Sequence, residues 1–218
     1  MPLKEHRRIT ENCQLGIWQV TEEEPELQAA MPLSSAERDV FDKFTHPYRR
    51  KQWLATRILL DKLMPGARID YDVSGKPFTN YHGMHISLSH TGKLIALIAD
   101  VDPCGIDIET LRPTISRIAH KFLSPVEMAA AQSGSASERM HIYWSVKEAL
   151  YKVYGKKNVS LRTNIFVAAF DNVNKGHTRA TLQHEHHFLE KQVNYEIANG
   201  YVLAWTNPVN AGGLRIEN

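Results

Sequence analysis

Leu123-Ser124-Pro125-Val126-Glu127 is a helix start that this chain carries twice. The serine caps a backbone amide, the glutamate three residues on reaches back to the serine's own amide, and proline takes the first helical position, where a missing N–H costs nothing. Ser34-Ser35-Ala36-Glu37 has the same spacing 90 residues earlier, and Trp53 and Arg57 stand 91 residues before Trp144 and Glu148. Two helical landmarks that keep register to within one residue point to one duplicated unit, not to a solenoid of short repeats. The expected fold is therefore α+β: two similar lobes from an internal duplication, related by a pseudo-twofold axis, each with helices packed on an antiparallel sheet. The expected boundaries are residues 1–103 and 104–218, with a ligand site at the interface between the lobes.

Working outward, Cys13 to Thr21 has the apolar character of a strand and follows a charged lead-in. Tyr48 to Met64 is expected to be a helix that stops at Pro65-Gly66. Ile69, Tyr71 and Val73 alternate before the turn Ser74-Gly75-Lys76-Pro77, and Met84 to Leu88 faces Lys93 to Ala99 across a Ser-His-Thr-Gly turn. In the second half, Arg139 to Tyr154 is expected to be helical and closed by Gly155, and Asn199-Gly200 is a hairpin turn between Val193–Ala198 and Tyr201–Trp205.

The whole-chain quantities exclude several classes. At 218 residues, 43% apolar and 23% charged, the chain can bury its own core. A net charge of +2 is too small for a protein that tracks nucleic-acid phosphates. The longest apolar runs, such as Leu94 to Ala99, fall far short of the ~20 residues of a membrane span. The start, Met1 to His6, lacks a signal peptide's apolar region. Cys13 and Cys104 form neither a disulfide framework nor a clustered zinc site. The expectation is a soluble protein of the cytoplasm.

Two segments carry chemistry. In Cys104-Gly105-Ile106-Asp107-Ile108-Glu109, a strand's two-residue period puts Asp107 and Glu109 on one face and Ile106 and Ile108 on the other. Paired carboxylates repel unless a cation or water screens them. The pair is thus either a Mg²⁺ site of hard oxygen ligands or a solvated acidic edge strand. In Trp144-Ser145-Val146-Lys147-Glu148-Ala149-Leu150-Tyr151-Lys152, Tyr143, Val146, Leu150 and Val153 form the apolar stripe of a helix. Glu148 and Lys152 stack one turn apart, a spacing that also suits a routine exposed ion pair. His184, His186 and His187 read as a solvent-facing strand, since no Cys or carboxylate cluster accompanies them beyond Glu185.

Together these two segments resemble the phosphopantetheinyl transferase family, whose paired signatures are a Gly-Ile-Asp-x-Glu strand and a later Trp-x-x-Lys-Glu-x-x-x-Lys helix. The resemblance extends to Gly75-Lys76-Pro77, Ser87-Leu88-Ser89-His90 and the arginine-rich helix from Arg49 to Arg57. Length and internal duplication are similar to the larger, surfactin-type branch, whose members are two-lobed monomers. It implies an enzyme that moves the phosphopantetheine arm of coenzyme A, with Mg²⁺, onto a serine of an apo acyl, peptidyl or aryl carrier protein, releasing 3′,5′-ADP. Such carriers serve fatty-acid, polyketide or nonribosomal peptide synthesis. A coenzyme A binder without transfer, or a metal-dependent hydrolase of coenzyme A or a nucleotide, are the alternatives.

By the resemblance, Asp107, Glu109 and Glu148 hold the metal together with the coenzyme A pyrophosphate, and Lys152 stands beside that pyrophosphate. Ser89 and His90, presented by a hairpin turn, lie near coenzyme A phosphates, and Lys76 and Pro77 lie against the adenine. Arg50 and Arg57 share a helical face and supply the 3′-phosphate contacts, with Arg49 adjacent. Glu127 matches a glutamate proposed to take the proton of the attacking serine, although its position also makes it the far half of a capping box. Glu148 is the alternative base.

Overall fold

The computed structural model describes residues 3–208, so the outermost ends of the two expected lobes, 1–2 and 209–218, lie outside the described residues. The first half runs β1 (Leu3–Arg8), β2 (Cys13–Gln19), α1 (Glu24–Ala30), α2 (Ser35–Phe41), α3 (Pro47–Leu63), a short hairpin of β3 (Ile69–Tyr71) and β4 (Pro77–Thr79), then β5 (His85–Thr91) and β6 (Leu94–Asp100). The second half runs β7 (Ile106–Thr110), α4 (Ile115–Phe122), α5 (Pro125–Ala131), α6 (Ala136–Tyr154), β8 (Ile165–Val167), β9 (Lys175–His184), β10 (His187–Ala198) and β11 (Tyr201–Thr206). Each half folds into an antiparallel sheet, in the orders β1-β2-β6-β5 and β7-β11-β10-β9-β8. A strand, three helices and then the returning strands occur in both, and β2-β6-β5 has the same lateral order as β7-β11-β10.

Three apolar clusters hold these layers. One lies between α3 and the first sheet, with Leu54, Leu59, Ile95 and Leu97 fully buried, and a second between α6 and the other sheet, with Ile142, Val146, Leu182 and Val202. The third joins the two sheets face to face through Leu15, Ile17, Ile98, Ile106, Ile108 and Leu203. The strand period is responsible: Ile106 and Ile108 enter the intersheet core, so Asp107 and Glu109 turn toward α6.

The two sheets meet without main-chain pairing at the edge strands β5 and β7. Side-chain hydroxyls do the joining. Ser87 Oγ accepts from the Ile106 amide at 3.2 Å, Thr91 Oγ1 accepts from the Thr110 amide at 3.2 Å, and Ser89 Oγ donates to Asp107 Oδ1 at 2.8 Å. An unpaired strand edge is a liability, and here one edge's amides are satisfied by the neighbouring edge's side chains. At the opposite margin Arg7 of β1 is paired with Glu196 of β10, and its guanidinium lies over the Trp205 ring.

Both capping boxes form as expected, at Ser34/Glu37 and Ser124/Glu127, and Asn199 and Gly200 both take positive φ in the β10–β11 turn. Three expectations are corrected. The charged lead-in is a strand, β1, whose residues alternate half-buried and exposed along the first sheet's edge. Ser89 and His90 lie within β5, and the hairpin turns at Gly92 and Lys93. Val73 lies past the end of β3, in the turn that joins it to β4, and is fully exposed.

Gly105, just before β7, sits so tightly on α6 that a Cβ there would overlap the Ala149 carbonyl. Backbone cannot yield as a side-chain tip can. Gly105→Ala is expected to cost about 2–3 kcal/mol and to lower the melting temperature by roughly 4–12 °C. Gly16→Ala, which meets only the Leu59 and Leu63 side chains, is the milder comparison in the same melting experiment.

Candidate active site between two sheets

The site is built where β7 faces α6. Asp107 is buried, and its Oδ1 receives both the Ser89 hydroxyl and the Lys152 ammonium, each at 2.8 Å. Lys152 also donates to the Ile106 carbonyl at 2.8 Å, so two of its three N–H groups are used. Asp107 Oδ2 is buried and has no hydrogen-bond partner among the described residues. An unsatisfied buried carboxylate oxygen is costly, and a cation is one way to satisfy it.

Glu148 joins this group from one turn before Lys152. Burial, then the charges of Asp107 and Glu109, push its carboxyl up to about 7, against the opposing pull of Lys152. Glu109 is also raised, by burial first and by Asp107 second, while Arg112 at 3.4 Å draws it down. Among the described residues, no three His, Cys, Asp or Glu side chains stand as a ready-made cation cage. The structure therefore brings Asp107, Glu109 and Glu148 into one electrostatic group of hard oxygen donors, with one oxygen orphaned. This chemistry fits a divalent cation whose shell is completed from outside the protein.

A cleft of about 270 Å³ opens at Lys152, the partner of Asp107, lined from the first half by Lys76, Pro77 and Leu88 and from the second by Tyr151, Lys152 and Lys157; the three carboxylates are not in its lining. Lys76 crosses between the halves to donate to the Val153 carbonyl at 2.8 Å, and burial lowers its pKa. It thereby closes the C-terminus of α6. Gly155, in the left-handed conformation of that helix end, could not carry a Cβ without striking the Lys76 side chain. Lys156 and Lys157, at the cleft's end, were missed by the sequence reading. The signal was present in the doublet following Gly155.

Other expected site residues are placed elsewhere. Glu127 is buried with both oxygens taken inside the protein: Oε2 accepts from the Ser124 amide at 2.8 Å and from Lys147 Nζ at 2.7 Å, and Oε1 accepts from the Val167 amide at 2.9 Å. Lys147, with no exposed surface, also donates to the Phe122 and Leu161 carbonyls at 2.8 Å, and burial lowers its pKa. Sequence reasoning passed over Lys147 although it lies four residues after Tyr143 and three before Leu150, a cation on the apolar stripe.

Arg50 is held by both oxygens of Glu24 and by the Phe41 and Phe44 carbonyls, with its guanidinium 3.9 Å from the Phe41 ring centre. Arg57 is buried 3.3 Å from the Trp53 ring centre, with Glu37 at 3.7 Å. Neither guanidinium lines the cleft. Of the three arginines on α3, Arg49 is the one that touches a candidate site residue, at 3.1 Å from His90 Nε2; burial and then this neighbour lower the His90 pKa. His184 and His187 meet the Tyr154 ring edge-on, and His187 contacts Lys156 at 3.0 Å.

Residues 103–206 match the family model described as the 4′-phosphopantetheinyl transferase superfamily. Among curated proteins, a Bacillus subtilis protein named 4′-phosphopantetheinyl transferase is 36% identical over 86 residues, 38% of this chain and 38% of that protein. The Bacillus pumilus protein named 4′-phosphopantetheinyl transferase psf-1 is 39% identical over 88 residues, 38% of this chain and 37% of that one. These matches cover well under two thirds of the relatives' lengths. The Bacillus subtilis (strain 168) protein named 4′-phosphopantetheinyl transferase Sfp is 25% identical over 197 residues, 79% of this chain and 86% of the relative.

Proposed function

We propose that this chain, whose residues 103–206 match the 4′-phosphopantetheinyl transferase superfamily, is an enzyme that transfers the phosphopantetheine arm of coenzyme A to a serine hydroxyl of an apo carrier protein. The observation that carries the reading is the buried Asp107 carboxylate, fixed on one oxygen by Ser89 and Lys152 and unpartnered on the other, coupled to the charges of Glu148 and Glu109 and joined through Lys152 to a lysine-lined cleft. We take residues 1–103 and 104–218 as the two lobes of a duplicated unit, acting as a monomer in the cytoplasm. Among the described residues no helix is long and apolar enough to cross a membrane.

Asp107, Glu109 and Glu148 would hold Mg²⁺, which when bound to the pyrophosphate neutralises charge and orients the leaving group. The remaining steps fall to the chain's own residues. Lys152, with one N–H left over, lies along the cleft to offset charge that builds as the phosphodiester bond breaks. Lys76, Lys156 and Lys157 add cationic character to a cleft able to receive the nucleotide end of coenzyme A. The serine hydroxyl attacks the β-phosphate, its proton passes to Glu148 or to water, and 3′,5′-ADP leaves. Positioning and charge stabilisation supply most of the acceleration.

The direct test is to incubate the protein with a panel of apo acyl, peptidyl and aryl carriers, coenzyme A and Mg²⁺, and to weigh each carrier. Phosphopantetheine on at least one is the expected result, and none on any would sink the reading. Release of 3′,5′-ADP without a carrier would instead favour a hydrolase. Arg50→Ala and Arg57→Ala are expected to lower stability by about 2 kcal/mol each, seen as a melting shift of roughly 4–8 °C, because each removes a guanidinium from an aromatic face and a carboxylate. The KM for coenzyme A should stay as in the parent protein. A raised KM with unchanged melting would restore them as phosphate ligands.

A further inference from the structure

The resemblance puts Ser89 beside a phosphate of coenzyme A, yet the structure gives its hydroxyl a different partner. Ser89 is 9% exposed, and its single O–H hydrogen is used in the 2.8 Å bond to Asp107 Oδ1. Ser87 and Thr91, two residues to either side and therefore on the same strand face, also direct their oxygens to β7, onto the Ile106 and Thr110 amides. All three hydroxyls of this face belong to one seam. The middle one reaches the Asp107 carboxylate, and Thr91 lies against that of Glu109.

We propose that Ser89 is a positioning residue: with Lys152 it fixes Oδ1 of Asp107 and leaves Oδ2 as the single oxygen this residue offers to a cation. A carboxylate with no partners turns freely about its terminal bond and can present either oxygen, or both. Two donors converging on one oxygen, at 2.8 Å each, remove that freedom, and the unpartnered burial of Oδ2 is what remains. Partners behind a ligand orient it and tune its affinity, and losing one commonly weakens metal binding 10–100-fold. The proposal depends on the transfer reading only for the identity of the cation.

The test is a calorimetric titration of Mg²⁺ into the protein with coenzyme A present, for the parent, Ser89→Ala, Ser89→Thr and Ser87→Ala. Ser89→Ala is expected to weaken Mg²⁺ binding about tenfold. Ser89→Thr, which keeps the hydroxyl, should restore it. Ser87→Ala removes a seam bond without touching Asp107 and should bind Mg²⁺ like the parent. At saturating Mg²⁺ the KM for coenzyme A should be unchanged in Ser89→Ala. If the alanine variant melts too early to titrate, Ser89→Cys, a weaker donor of similar size, carries the same expectation.

Three results would overturn the proposal: no Mg²⁺ binding by the parent, equal losses in Ser87→Ala and Ser89→Ala, or a Ser89→Ala variant that keeps Mg²⁺ affinity and loses coenzyme A affinity in the presence of a chelator. The last would make Ser89 a phosphate contact. A parent protein that modifies no carrier but shows the Ser89-specific loss of Mg²⁺ affinity would remove the transfer reading and leave this one standing.

Discussion

Asp107→Asn abolishes transfer while leaving the protein folded: that is the expected result, with kcat falling by on the order of 10³ and melting nearly unchanged. The shape of the side chain is kept. The amide oxygen can still accept from Ser89 and Lys152, as Oδ1 does, and the new NH₂ group takes the place of the unpartnered Oδ2. What is lost is the negative charge and the free lone pairs of that second atom. If Asp107 served only as an acidic residue on a sheet edge, the same substitution would relieve repulsion with Glu148 and Glu109 and leave activity intact. Carrier mass gain per unit time, measured beside a thermal melt, separates the two.

Lys147→Met should be among the most destabilising single changes in the chain, at about 3–5 kcal/mol and a melting decrease on the order of 10 °C. The substitution fits the volume but strands the Glu127 charge, and it leaves the Phe122 and Leu161 carbonyls without their donor. Breaking a buried pair from one side leaves an uncompensated ion, which costs more than the pair's net worth. Glu127→Gln is the companion measurement. A general base contributes about 10²–10⁴ in rate, so a base at this position would announce itself as a kinetic defect in a stable protein. The expected outcome is the reverse, reduced stability with kcat of the folded fraction retained, because both oxygens of Glu127 are already engaged at the helix cap, at Lys147 and at β8.

Local features were the legible ones. The two Ser-x-x-Glu starts could be read because a capping box is complete within four residues, and the Asp107/Glu109 face because a strand alternates by rule. β1 was overlooked because an edge strand exposed on one side needs little apolar sequence, and Leu3–Arg8 has almost none. α4 was overlooked because its N-cap, Thr114, makes no side-chain cap bond. The site residues divide on the same principle. A helical wheel puts Arg50 and Arg57 on one face and Arg49 about 100° round from Arg50, but what decides their partners is tertiary: Glu24 and Phe41 take Arg50, Trp53 and Glu37 take Arg57, and His90 meets Arg49. The Glu127–Lys147 pair spans 20 residues and joins two helices, α5 and α6, a relation that no short window contains.

The position of β7 has a bearing on how the molecule comes into being. Among the described residues its sole main-chain partner is β11, running from Thr110 opposite Tyr201 to Ile106 opposite Trp205. During synthesis the segment bearing Asp107 and Glu109 emerges almost a hundred residues ahead of the strand that will anchor it. In the interval its companion is β5, already made, offering hydroxyls but no backbone ladder. Closing such a distant pairing late is the slow, entropy-limited part of assembly. A polypeptide ending before Tyr201 would therefore contain every candidate catalytic side chain and still lack the means to hold Asp107 still.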